Sequence, residues 1–81
     1  MLRGGAMNEY FVIISEFETR EDCSKHITKE RFKWAKGLKE AREISPVNLH
    51  YSRNTGSWYG FWYDIIKGNG IECIALKRCK K

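Results

Sequence analysis

The hexapeptide Trp58-Tyr59-Gly60-Phe61-Trp62-Tyr63 carries five rings in six positions, and it limits the folds open to this chain. Aromatic residues favour strands, and residues 57–66 read as one. Strand alternation sends Trp58, Gly60 and Trp62 to one face, and Tyr59, Phe61 and Tyr63 to the other. A chain of 81 residues has room for a single domain around one core. One helix covers only one face of its sheet. Some of these rings are therefore expected to face solvent or a partner. Gly60 thins the strand and leaves room for a neighbouring ring or for close approach by a ligand.

The flanking sequence supplies the rest of the expected fold. Residues 9–17 are a near-continuous run of β-branched and aromatic side chains, the pattern of a central strand. Thr19 offers a helix cap, with Glu21 and Asp22 in the first turn. Cys23, Ile27, Trp34, Leu38 and Ala41 then follow at spacings of 4, 7, 4 and 3, which predicts one long helix with Phe32 and Ala35 on its flank. Pro46 ends it. Residues 47–53 alternate as a strand, Asn54-Thr55-Gly56 is turn chemistry, residues 67–70 form a hairpin loop, and residues 71–78 close the set. The expectation is an α+β fold: a four-stranded, mainly antiparallel sheet with one long helix packed on one face, in the order β-α-β-β-β. Trp34 lies in the expected buried stripe, where truncation to alanine costs about 3–5 kcal/mol.

Charge narrows the function. Fifteen Lys and Arg against ten Asp and Glu leave +5, which favours anionic partners. On the expected helix Lys25, Lys29, Lys33 and Lys36 recur along one side, as a solvated face or a ridge that tracks phosphates. Lys77, Arg78, Lys80 and Lys81 follow the last strand. They discourage edge pairing there or contact nucleic acid. Cations beside exposed rings form the platform used on single-stranded nucleic acid, and the same residue types anchor protein interfaces.

Several classes are disfavoured. Three cysteines, an odd number, do not make a disulfide framework. Cys23 and His26 make one tight pair, but Cys73 and Cys79 lie six residues apart on a strand, about 20 Å, which one ion cannot bridge as a second zinc pair, so neither metal nor cofactor is expected. His26 and His50 stand in no triad spacing, and no glycine-rich phosphate loop is present. No apolar run is long enough to span a bilayer. Residues 1–6 are expected to be a flexible leader, a mis-annotated start or a cloning remnant. Arg3-Gly4-Gly5 is encodable by a ribosome-binding sequence just ahead of Met7. That points to a bacterial or phage gene and a cytoplasmic protein, with residues 7–81 as the domain.

A strand, a helical region and three antiparallel strands in a basic chain resemble the RelE/ParE group of small bacterial toxins. The resemblance implies a ribonuclease that recruits Arg53, Tyr59, Lys77 and Arg78 to RNA. The leading expectation is instead a non-enzymatic protein that binds RNA or single-stranded nucleic acid. Its binding residues are Trp58, Tyr59, Phe61, Trp62, Tyr63 and Arg53, with the basic C-terminal end and the lysine ridge. The alternative is a phage-type accessory protein that inhibits a host protein through the same strand. A homodimer through that strand is compatible with either.

Overall fold

Residues 10–14 are apolar on both faces, the pattern of a strand with a neighbour on each edge, and the fold is organised around the segment that holds them. A computed structural model describes residues 8–19, 21, 22 and 24–79. Its elements are β1 (Asn8–Thr19), β2 (Lys25–Ala35), α1 (Leu38–Ile44), β3 (His50–Ser52), β4 (Ser57–Asp64) and β5 (Asn69–Cys79). They form one antiparallel five-stranded sheet in the order β2-β1-β5-β4-β3. β1 is flanked along nearly its whole length, by β2 from Thr19↔Lys25 to Tyr10↔Ala35 and by β5 from Glu18↔Asn69 to Asn8↔Cys79.

The expected long helix is corrected by this arrangement. Residues 25–35 are a strand, the helix is only seven residues long, and the sheet has five strands rather than four. The order is β-β-α-β-β-β, so the strand–helix–three-strand layout behind the toxin resemblance is not present. The physical reason lies in the period. Lys29, Arg31 and Lys33 alternate with Glu30, Phe32 and Trp34, and Ile, Thr, Phe and Trp all favour strands. A strand pairs with the edge of β1 along residues 10–19, apart from one irregular position, where the helix would have left that edge open. Near Thr19 the expected helix cap is absent. Asp22 Oδ1 instead accepts hydrogen bonds from the Ser24 amide at 3.0 Å and its hydroxyl at 2.6 Å, closing the link between β1 and β2. The expected leader, residues 1–6, lies outside the described residues.

Register assigns each residue to a face. Tyr10, Val12 and Ile14 of β1 stand level with Ala75 and Cys73 of β5 and with Trp58 and Gly60 of β4. Here α1 packs, through Ala41 with Leu38 and Ile44, and Val47 and Leu49 follow it into the core. Ala35, Ala41, Cys73 and Ala75 are at most 1 % exposed. Small side chains below the helix let it approach the sheet closely. Pro46 follows the helix, and Ser45 is already extended. The opposite face carries no covering element among the described residues.

Two predictions of the sequence reading do recur in the structure. The turns on either side of β4 are present, the second at residues 65–68 rather than 67–70 because Asn69 and Gly70 already belong to β5, and Gly56 and Gly68 take positive φ in them, 68° and 71°, which favours glycine there. The rings of β4 divide as alternation requires: Trp58 and Trp62 on the helix face, Tyr59, Phe61 and Tyr63 on the other. Cys73 is buried and unpaired, and burial pushes its thiol upward despite a hydrogen bond with Ser45. Labelling of the folded protein, read by mass spectrometry site by site, is expected to leave Cys73 unmodified until denaturant is added. Fast modification in the native state would mean the helix does not cover it.

Candidate nucleic-acid groove

β3 is short and pairs with only the first three residues of β4, Ser57, Trp58 and Tyr59. From Gly60 onward the outer side of β4 has no partner strand among the described residues. The chain between α1 and β3 crosses above it. Ser45 shapes this crossing: its hydroxyl donates to the Val47 carbonyl at 2.6 Å and accepts from the Val47 amide at 3.2 Å. Gly60 permits it. A Cβ built at that position lands on the Asn48 carbonyl oxygen and 2.6 Å from Val47 Cγ2. Glycine is therefore the residue that lets residues 47 and 48 rest on the strand.

The crossing, β3 and the open edge of β4 enclose a groove of about 920 Å³, inside the size range of ligand sites. Its cations are Arg42 and Arg53, with His50 beside them, and the rings it presents are Tyr51 and Trp62; Tyr59 and Phe61 border it along the open edge of β4 with their side chains turned to the opposite face. Asn48 and Asn54 add side-chain amides, and no carboxylate lines it. Arg42 is held in place by its own stacking, with its guanidinium 4.8 Å from the Trp58 ring centre. Tyr51 meets the same ring edge-on at 5.6 Å. Tyr51 is 56 % exposed and Trp62 51 %, so both offer a free ring surface.

The other sequence-predicted site residues are distributed more widely. Arg53 is exposed in the β3–β4 turn and joins the groove. Trp58 lies beneath Arg42. Tyr63 turns to the open face and stacks on Phe17 at 6.2 Å. Lys77 and Arg78 are exposed on opposite faces of β5 and do not line the groove; Arg78 lies 5.6 Å over the Trp34 ring. Lys80 and Lys81 lie outside the described residues. The lysine ridge dissolves with the helix that carried it. Lys29 and Lys33 stand on the helix face of β2, Lys36 follows the strand, and Lys25 pairs with Glu72 on the open face. Cys23, offered to the expected helical stripe, also falls outside the described residues.

Arg42, His50 and Tyr51 escaped the sequence reading. Arg42 sits between Glu40 and Glu43 and looked like an ordinary charged helix position. The one available signal was Gly60, whose missing side chain marks where another segment crosses.

Tyr59 connects the groove to a polar cluster. Its phenol is pushed above 10.0, first by burial and then by the Glu72 carboxylate, with Lys25 opposing. The raised folded-state value means that its contribution to stability is present below the unfolded value near 10 and is lost as pH rises through the folded one. A ¹³C NMR titration of the ring is expected to give a midpoint above 10 that moves down in Glu72→Gln. An unchanged midpoint would remove Glu72 as a cause.

Among the described residues, no group of three or more His, Cys, Asp or Glu is placed to hold a metal ion, and no helix is long and apolar enough to cross a membrane. No family model, curated protein or solved structure matches the chain.

Proposed function

We propose that this chain is a non-enzymatic binding protein for RNA or single-stranded nucleic acid, and that the groove beside β4 is where the strand lies. The observation that carries this reading is the composition of the groove wall: two arginines, a histidine and the exposed rings of Tyr51 and Trp62, with no carboxylate. Cations take phosphates, and each phosphate neutralised releases counterions. Exposed rings take bases by stacking, whatever the base. Asn48 and Asn54 add donors and acceptors that meet base edges. The overall charge of +5 steers a polyanion toward the protein, and Lys77 and Arg78 contribute to that field from outside the groove.

Fluorescence anisotropy with labelled single-stranded RNA and DNA oligonucleotides tests the proposal. Binding is expected at low salt and should weaken as salt rises. Arg53→Ala should flatten the log–log salt slope by about 0.7 for a lost single-strand phosphate contact. Trp62→Ala should cost about 1–3 kcal/mol per stacked base and leave the slope unchanged. If neither RNA nor DNA binds at low salt, the nucleic-acid reading falls and a protein ligand takes the groove. RNA cut by the purified protein would restore the ribonuclease reading.

A further inference from the structure

Among the described residues nothing covers the face of the sheet away from α1, and that face is not polar. Six of its side chains are large, apolar and 38–55 % exposed: Ile27, Phe32, Trp34, Tyr59, Phe61 and Leu76. Half-exposed side chains of about 150–250 Å² each leave on the order of 600 Å² of apolar surface. That is the upper end of what a monomer's largest patch shows. Phe11, Ile13 and Ile74 are half-buried between them and bring the total toward the roughly 800 Å² that each partner contributes to a standard interface.

We infer that this face is covered by a second copy of the same chain, in a two-fold, sheet-on-sheet dimer. The charges on the face separate this occupant from a polyanion. Glu9, Glu30 and Glu72 stand there with Lys25 and Arg78, a balance of +2 − 3 = −1 on a protein whose total is +5. A nucleic acid gains little from that surface. A copy of the chain meets both signs without strong repulsion, and a two-fold interface requires such self-complementarity.

The pattern along the face fits the same geometry. Trp34, Phe11 and Leu76 form one cross-strand row, and Phe32, Ile13, Ile74 and Tyr59 form the next. Two such bands pack face to face about 10 Å apart, with their strands within about 30° of each other. The helix-side core also needs the help. Four of its buried side chains are alanine or cysteine, and domains this small commonly draw stability from association.

Light scattering after size exclusion, run across a dilution series, tests the dimer directly. The expected result is twice the monomer mass, falling to one on dilution. Phe32→Glu and Leu76→Glu lie on the face and outside the groove. Each places two copies of an unpaired carboxylate in the interface and should raise the dimer dissociation constant by about thirtyfold or more, with far-ultraviolet circular dichroism unchanged. A measurement on the unaltered chain stands beside them: mixed labelled and unlabelled protein should show intermolecular NOEs between the Leu76 or Ile74 methyls and the Phe11 or Phe32 rings. A monomer at every concentration overturns the inference. So does a dimer that both folded variants leave intact, or one without those NOEs. None of these outcomes depends on nucleic-acid binding in the groove.

Discussion

Phe17→Ala should be among the most damaging single truncations in this protein, at about 3–5 kcal/mol. Phe17 lies on the open face of the sheet, yet it is only 3 % exposed. Its cover comes from its own neighbours. Phe61 and Tyr63 stack against it at 6.4 and 6.2 Å, and the Lys25 ammonium lies 4.8 Å over its ring. Opposite it in β5 stands Gly70, where an added Cβ would come within 2.6 Å of Phe17 Cζ. The ring therefore fills the space that the missing Gly70 side chain leaves. Domains hold roughly 0.05–0.15 kcal/mol of stability per residue, so the loss removes a large share of what 81 residues provide. Trp34→Ala is the comparison. Trp34 is half-exposed, and its truncation should cost the monomer only about 1 kcal/mol. Urea unfolding of both variants at low protein concentration decides the matter. If Trp34 proves the costlier of the two, residues 23–41 form the buried helical stripe after all and β2 is wrong.

That comparison turns on the one segment where local sequence was ambiguous. Ile27 and Trp34 fit a helical stripe with Cys23, Leu38 and Ala41, and Ile27, Phe32 and Trp34 also fit a strand interrupted by one irregular position. The structure has that irregularity: the β1–β2 register shifts between Glu16 and Phe17, so Ile27 shares a face with Phe32 and Trp34 despite the odd spacing. Periodicity alone cannot choose between the two readings. What chooses is β1, whose two apolar faces and two edges need a strand on each side, and that demand comes from elsewhere in the chain. β1, β4 and β5 were legible because each has a pattern with only one solution. The glycine turns at Gly56 and Gly68 were legible for the same reason. In the groove, Arg53, Tyr59, Phe61 and Trp62 were visible as a basic and aromatic cluster around one strand. Arg42, His50 and Tyr51 reach it only because the chain crosses over Gly60, a tertiary event with a one-residue signature.

Gly60→Ala tests that crossing, and its effect should extend from the core to the groove. The added methyl meets the Asn48 carbonyl and Val47. A backbone carbonyl cannot swing aside as a flexible side chain does, so residues 47 and 48 must lift or β4 must bend. Val47 packs on the core and Leu49 is 7 % exposed within it. Lifting their segment therefore withdraws apolar contacts as well as relieving the clash. Overpacking of this kind costs about 1–3 kcal/mol and sometimes more, which in a domain of this size lowers the melting temperature by roughly 4–8 °C per kcal/mol. His50 and Tyr51 follow directly on the displaced segment, so one wall of the groove moves with it. RNA affinity should fall in Gly60→Ala even at temperatures where the variant is fully folded. Gly37→Ala is the comparison: its Cβ meets nothing within 4 Å, so alanine there costs only about 1 kcal/mol or less for a poorer cap on α1, and RNA affinity should stay near that of the parent. A Gly60→Ala protein that melts and binds like Gly37→Ala would show that the segment does not rest on β4, and the groove built from that contact would go with it.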